Sequence, residues 1–316
     1  MTYQFRPHDG TDTDYEATVY IDNACQPEDP TTIENAKSED AKRPPDHMFT
    51  RYVCVHNGRI VGSGCYLLAY WYGTPDQFLV SWSLLPEHRE AAGALFLNYL
   101  KKEVAPHDPQ RYIGYIREDK PIKKAILEAD GFKLSQRAPR SQLDVASFDR
   151  TAYEGLRPKL EADGIEFITL TEYKKRDPDW VVTYEGASWE AGEGMPTSEP
   201  RVRHPVSQFA QQFSEPGHLS DGHIFALKAG EIIGFSAVSV NTVTNEKFYT
   251  VFTGVKPRYR RKGIATALKV EIIKFAQAYG ATIIETDNEE SNPMYTLNMQ
   301  LGFEPLPADL EYKRLA

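Results

Sequence analysis

The sequence predicts an α/β (α+β) protein made of two copies of one folding unit, and three observations support this. Two stretches, Tyr52–Gly62 and Ile224–Gly234, each read as an apolar strand, a glycine-containing turn and a second strand, which is the pattern of a β-hairpin. The spacings along the chain from each hairpin to a later proline and to a later Gly-Phe pair agree within one residue. In the second copy, a strand leads into a basic loop and a helix.

The repeat depends on three landmarks in each copy: a hairpin glycine, a proline and a Gly-Phe pair. They fall at Gly58, Pro86 and Gly131–Phe132, and again at Gly230, Pro257 and Gly302–Phe303. One landmark could match by chance, but three indicate a true repeat, offset by about 172 residues. At roughly 150 residues per domain, a chain of 316 residues has room for two domains. We predict one domain over residues 1–147 and a second over residues 148–316.

Composition and charge disfavour several classes of function. The net charge of −9 argues against nucleic acid and anionic membranes as partners, because both attract basic surfaces, and it mildly favours a cationic substrate. No apolar run reaches the roughly 18 residues of a membrane span. The cysteines Cys25, Cys54 and Cys65 lack CxxC spacing, and no signal peptide is recognisable. We therefore expect no metal site and a cytoplasmic protein.

The most informative segment follows the predicted strand Phe248–Val255. The loop Arg258–Ala265 is basic, and apolar residues then recur at helical spacing over Ile264–Tyr279. The start of a helix offers unpaired N–H groups and about half a positive charge. Gly263 has no Cβ, so an anion can approach the backbone there. The loop is therefore suited to a pyrophosphate, although the glycine patterns of Walker loops and dinucleotide-binding turns are absent.

These residues resemble the GNAT acetyltransferase superfamily. The family signature Arg/Gln-x-x-Gly-x-Gly/Ala matches Arg260, Gly263 and Ala265, and a later block matches Asn292 and Leu301–Phe303. The chain as a whole is similar to tandem GNAT proteins of the mycothiol-synthase-like type. The resemblance implies two tandem GNAT folds, each a mixed, mainly antiparallel sheet flanked by helices. It also implies acetyl-CoA, or another acyl-CoA, as co-substrate and no metal.

The resemblance further implies where the cofactor binds. The strand before the loop and the strand after the helix splay apart, and the pantetheine arm enters that gap. The residues expected to bind the cofactor are Gly254, Val255, Arg260, Arg261, Lys262, Gly263, Ile264, Ala265, Thr266, Asn288 and Asn292. For the two asparagines, turn formation and helix capping are an equally good explanation.

The first copy has lost the basic loop. With Pro86 aligned on Pro257, the segment Glu87–Ala94 carries alanine in place of the glycine and two glutamates in place of arginines. Like charge opposes phosphate binding, so we expect this half to bind CoA poorly. It would then serve as structural support or as one wall of the acceptor site. A shift of one residue would bring Gly93 to the glycine position, so weak binding stays open.

The usual acid and base of the family are absent. The family often places a glutamate where this chain has Tyr249, with Thr250 beside it, and a tyrosine where it has Asn298. Glu246 and Glu285 are alternative bases, or plain strand-end carboxylates. A thiol has a pKa of about 8.5 and leaves readily, so catalysis does not require the usual acid. The candidate catalytic residues are therefore Tyr249, Glu285 and Asn298.

The acceptor site is expected between Thr183 and Gly222, a segment that includes a predicted helix over Val206–Phe213. Its candidate lining residues are Trp189, Glu190, Glu193, Met195 and Phe209. The leading hypothesis is an N-acetyltransferase, monomeric or homodimeric, for the amine of a small cationic molecule. The alternative is a non-catalytic acyl-CoA-binding sensor or scaffold. Protein acetylation is less favoured, because the long insertion suggests a closed pocket.

Overall fold

The structure, a computed structural model, describes residues 2–43, 47–72 and 76–316. It contains two compact units, each drawn from both halves of the sequence. Unit 1 comprises Met1–Ala138, Ser198–Val202 and Pro307–Ala316, and unit 2 comprises Pro139–Thr197 and Arg203–Leu306. The predicted boundary between residues 147 and 148 concerns the two copies of the repeat and stays a prediction.

The helices and strands follow one another in an alternating order. In the sequence of the chain they are β1 (Tyr3–Pro7), α1 (Asp12–Cys25), α2 (Ile33–Lys42), β2 (Phe49–His56), β3 (Arg59–Leu68), β4 (Gln77–Leu84), α3 (Arg89–Val104), β5 (Arg111–Arg117), α4 (Pro121–Ala129), β6 (Lys133–Asp144), α5 (Leu156–Ala162), β7 (Ile165–Thr169), α6 (Leu170–Tyr173), α7 (Trp180–Ala191), α8 (Val206–Gln211), β8 (His218–Lys228), β9 (Glu231–Val240), β10 (Lys247–Val255), α9 (Ile264–Tyr279), β11 (Ile283–Asp287), α10 (Pro293–Gln300) and β12 (Glu304–Leu315).

Unit 1 holds a mixed sheet with the strand order β1-β2-β3-β4-β5-β12. Strands β4 and β5 run parallel, and the pairs β1–β2, β2–β3, β3–β4 and β5–β12 are antiparallel. The core includes Phe96, Leu97 and Leu100 of α3, which are buried together with apolar residues of the strands. Residues Asp309–Leu315 of β12 pair with β5, so the end of the chain completes this sheet.

Unit 2 holds a second mixed sheet, with the order β6-β11-β10-β9-β8-β7. Strands β10 and β11 run parallel, and the other neighbours are antiparallel. One buried cluster includes Leu268 and Ile272 of α9, and a second includes Tyr184 of α7 and Phe235 of β9. Residues Arg140–Asp144 of β6 pair with β11, so a strand from the first half of the sequence completes this sheet.

The predicted fold class is confirmed, because each unit is a mixed, mainly antiparallel sheet flanked by helices. The two predicted hairpins are β2–β3 and β8–β9, and the predicted helix over Ile264–Tyr279 is α9. Both hairpin turns place two residues in the left-handed region: Asn57 and Gly58 in the first, Ala229 and Gly230 in the second. Such turns follow the right-handed twist of the strands that they join.

Candidate functional site

The loop between β10 and α9 has the backbone geometry of an anion site. Gly263 lies directly before α9 with φ of 82°, and Arg261 has φ of 63°, so both are in the left-handed region. A side chain at Gly263 would be strained by roughly 1–2 kcal/mol. No side chain caps the start of α9, so the first N–H groups of the helix, from Ile264 onward, have no partner within the helix. These N–H groups and the helix dipole favour a negatively charged ligand.

The side chain of Arg260 braces this loop. Its Nε donates to the carbonyl oxygen of Val255 at 2.9 Å, and one terminal nitrogen donates to the carbonyl oxygens of Ala191 at 3.1 Å and Glu193 at 2.6 Å. The guanidinium therefore joins the end of β10 to the end of α7. Arg261 and Lys262, whose side chains are exposed, are left as the loop cations that can approach an anion.

The corresponding arginine of unit 1 makes the same bond. Arg89 donates from Nε to the carbonyl oxygen of Leu84 at 3.1 Å, five residues back along the chain, as Arg260 does to Val255. The segment that follows Arg89 differs, because α3 begins at Arg89 itself, whereas α9 begins only after Gly263. In unit 1 a helical turn therefore replaces the loop.

Helix α4 covers the start of α3 in unit 1. Lys123 donates from Nζ to the carbonyl oxygen of Trp82 in β4 at 2.8 Å, and a Cβ added at Gly93 would collide with the side chain of Ile126. A backbone acceptor on β4 and the space beside the helix start are thus occupied by the unit's own side chains.

Strands β10 and β11 of unit 2 diverge as the sequence predicts. The pairing recorded between them covers Lys247–Tyr249 with Ile283–Glu285. Beyond it, β10 continues to Val255 along β9, with an irregularity between Thr250 and Phe252. The edge of β10 that faces away from β9 is therefore outside the β10–β11 ladder from Thr250 onward.

A cavity of about 660 Å³ lies next to this edge and the loop, a volume typical of small-molecule sites. Nine of the predicted cofactor residues line it, and Lys262 and Asn288 do not. The nine are Gly254, Val255, Arg260, Arg261, Gly263, Ile264, Ala265, Thr266 and Asn292. Glu193 and Met195 from the predicted acceptor segment line the same cavity.

The two predicted asparagines have the local roles that were the alternative explanation. The side-chain oxygen of Asn292 accepts from the N–H of Met294 at 3.0 Å and caps α10. The side-chain oxygen of Asn288 accepts from the amide of Asn298 at 2.7 Å. Asn292 nevertheless lines the cavity, so capping and a cavity-facing position coexist there.

Of the three candidate catalytic residues, Glu285 has the clearest surroundings. It is buried on β11, and its two carboxylate oxygens are bonded by Arg140 and, at 2.6 Å, by Lys247. Burial by itself would raise the pKa of Glu285, but the hydrogen bond from Lys247 and the charge of Arg140 outweigh it and hold the pKa below its ordinary value. A carboxylate of low basicity with both oxygens engaged is poorly suited to accept a proton.

Tyr249 and Asn298 lie at different depths. The hydroxyl of Tyr249 accepts from the amide of Asn241 at 3.4 Å, and Lys247 lies 4.8 Å from its ring centroid. Asn298 is fully buried in α10. Its amide nitrogen donates to Asn288, and its buried oxygen has no hydrogen-bond partner within the described residues. Neither side chain is a stronger proton donor or acceptor than the one expected at its position.

Lys269 is a residue of this region that the sequence reasoning missed. It is 2% exposed on α9, and its Nζ lies 3.4 Å from the hydroxyl oxygen of Thr250. A signal was available, because Lys269 shares the helical stripe of Ile272, Ile273 and Ala276, which are all buried. A lysine on a helix is ordinarily solvent-exposed, and that expectation concealed it.

Two searches for other kinds of site gave negative results. Over the described residues, no helix is long and apolar enough to cross a membrane. In that same part of the chain, no group of three or more His, Cys, Asp or Glu residues could hold a metal ion.

Known proteins share this architecture. The sequence profile of the acetyltransferase (GNAT) family matches residues 186–303. A GCN5-related N-acetyltransferase from Sphaerobacter thermophilus superposes with a TM-score of 0.74 at 16% identity, over 99% of this chain and 95% of that one. A tandem GNAT protein from the clavulanic acid biosynthesis pathway gives 0.75 at 19% identity, over 99% and 98%. A search of curated proteins found no match.

The chain therefore has the tandem GNAT fold. The segment 186–303 belongs to the acetyltransferase (GNAT) family, whose general chemistry is acetyl transfer from an acyl-CoA. The predicted likeness to mycothiol-synthase-like proteins stays a prediction.

Proposed function

We propose that this protein transfers an acyl group, acetyl in the first place, from an acyl-CoA to the amine of a small cationic molecule, with the CoA bound in unit 2. The observation that carries the proposal is the uncapped start of α9 beside Gly263, which opens on a cavity at the unpaired edge of β10. One ligand that combines a pyrophosphate with an arm of amide groups matches both features.

The fit to CoA can be described part by part. The N–H groups of Ile264 and its successors, with Arg261 and Lys262 nearby, suit the pyrophosphate. The edge of β10 from Thr253 to Val255 offers backbone groups to the amides of the pantetheine arm. Gly254 has a tight environment, since a Cβ there would collide with the ring of Phe252. When bound, the acyl-CoA would supply an activated thioester.

Two observations favour unit 2 over unit 1 as the binding unit. In unit 1 a helical turn stands where unit 2 has its loop. In addition, Lys123 and Ile126 fill the corresponding space. These contacts support the prediction that the N-terminal half binds CoA poorly.

The acceptor proposal rests on charge and enclosure. Glu193 and Met195 line the same cavity as the loop, and the whole chain has a net charge of −9. A carboxylate at the edge of a partly apolar cavity attracts a cationic amine and leaves little room for a folded protein. An amine with a lysine-like pKa of about 10.4 must lose a proton before it attacks, at a cost of ~4.6 kcal/mol at pH 7.

A sensor or scaffold remains the second candidate, because the ion pairs of Glu285 remove the carboxylate that might have acted as base. Two measurements on the full chain separate the candidates: acetyl-CoA binding by calorimetry, and thiol release with a panel of polyamines, amino sugars and aminoglycosides. Binding with amine-dependent thiol release supports the transferase. Binding without thiol release supports the sensor, and no binding overturns both.

A further inference from the structure

Lys269 is a buried lysine that the proposed chemistry has not yet used. Its side chain is 2% exposed, so the amine cannot reach bulk water by extending along the protein surface. Within the described residues, no carboxylate lies within ion-pair distance of it. The contacts that the structure gives its Nζ are the hydroxyl oxygen of Thr250 at 3.4 Å and the ring of Phe303, whose centroid is 5.3 Å away.

The position of this amine relates it to the gap between the strands. Thr250 is the first residue of β10 after the last recorded pair with β11, which joins Tyr249 to Glu285. Asp287, the last residue of β11, acts on Lys269 through its charge. The amine therefore lies at the point where the two strands begin to diverge, next to the expected path of the pantetheine arm.

The surroundings of Lys269 favour the neutral amine. Burial lowers the pKa of Lys269 to about 7, and the charge of Asp287 raises it only in part. The other charged groups near this end of β11 are already paired, because Glu285 is bonded by Arg140 and Lys247. A buried lysine that served stability alone would be expected to have a carboxylate partner, and Lys269 has no such partner among the described residues.

We propose that Lys269 acts through the hydroxyl of Thr250 to accept the proton that the acceptor amine must lose, in the transfer reaction proposed above and resting on it. Thr250 is half-buried, so its hydroxyl can face the substrate on one side and Lys269 on the other. Thr250 is also the neighbour of Tyr249, which stands at the position of the missing family base. Lys269 does not touch the amine itself, and its role is to position and polarise the hydroxyl.

The proton balance closes without another reactant. The ammonium group of the acceptor passes one proton to the oxygen of Thr250, while the hydroxyl of Thr250 passes its own proton to the neutral Nζ of Lys269. The free amine then forms the amide bond as the carbon–sulfur bond of the thioester breaks. The thiolate that leaves takes up one proton, returned from Lys269 by the same route, so the products are an amide and a thiol.

The test compares Lys269→Met, Lys269→Arg, Thr250→Val and Thr250→Ser in the full-length protein, with Lys274→Met as matched control. Lys274 lies on the same helix but pairs with Glu271 at 2.8 Å, away from Thr250. Methionine fills the buried site without a charge, so that variant is expected to fold. Turnover at saturating acetyl-CoA and amine is followed from pH 5.5 to pH 9, and acetyl-CoA affinity is measured by calorimetry.

For the wild type we expect kcat to fall on the acid side with an apparent pKa near 7. Lys269→Met should lower kcat by about 10²-fold or more and abolish this acid limb, because positioned proton transfer contributes roughly 10²–10⁴-fold. Acetyl-CoA affinity should stay nearly unchanged. Arginine, which keeps its charge, should fail to restore turnover, whereas Thr250→Ser should restore the acid limb that Thr250→Val lacks.

A direct readout does not depend on turnover. The ¹³Cε resonance of Lys269 in the free protein, assigned by its absence from Lys269→Met, should titrate near pH 7. Titration near pH 10, or an unaltered acid limb in Lys269→Met, would overturn the relay while leaving the transferase intact. Failure of the wild type to bind acetyl-CoA or release thiol would overturn the proposed function as well.

Discussion

Replacing Arg260 with alanine tests whether this arginine braces the loop or binds the phosphates directly. Its guanidinium donates three hydrogen bonds, to the carbonyl oxygens of Val255, Ala191 and Glu193. Each such bond contributes about 1 kcal/mol net, and the three are not independent. We expect Arg260→Ala to lower the free energy of unfolding by roughly 2–3 kcal/mol, a fall in Tm of about 5–10 °C for a domain of this size.

Acetyl-CoA affinity should fall in the same variant, because the loop loses its attachment to α7 and β10. Arg261→Ala and Lys262→Ala should behave differently. Their side chains are exposed, so Tm should hardly change, while affinity should fall about two- to fivefold each and less so at high salt. Differential scanning fluorimetry and calorimetry measure the two effects separately.

Arg89→Ala in unit 1 is the matched control for the brace. Arg89 makes the corresponding bond to Leu84, so its loss should reduce stability and leave acetyl-CoA affinity unchanged. The reasoning is refuted if Arg260→Ala keeps the wild-type Tm but loses binding, since the guanidinium would then act on the ligand and not on the carbonyl oxygens.

Two further predictions concern unit 2. Gly263→Val, which places a β-branched residue at φ of 82°, should weaken acetyl-CoA binding at least 100-fold by calorimetry, whereas Gly280→Val, equally strained at the other end of α9 with φ of 94°, should lower stability alone; equal affinities would contradict the anion site. Lys269 has its pKa lowered to about 7 in the fold from 10.5, so between these values the unfolded chain binds more protons and stability rises with pH. From pH 7.5 to pH 9.5 the wild type should therefore gain roughly 2 kcal/mol relative to Lys269→Met in urea unfolding, and parallel curves would show that the amine is not buried.

Much of the fold could be predicted because its signals are local. The helical spacing from Ile264 to Tyr279 gave α9 with the ends that the structure has. The hairpins followed from turn residues such as Asn57 and Gly58, whose left-handed backbone few other residues adopt. The strand β6 was harder. Its second half, Arg140–Asp144, pairs with β11, and no local pattern says which strand a segment will join.

The candidate site divides in the same way between sequence and structure. Residue types and spacing alone indicated the glycine, the basic loop and the helix that together suit a pyrophosphate, because these depend on backbone geometry within a few residues. Only the tertiary structure decided that Arg260 turns to three carbonyl oxygens, that Arg140 and Lys247 neutralise Glu285, and that Lys269 is buried. Those outcomes depend on which long side chains meet across the fold, and the burial and charge found there set the proton chemistry of each group.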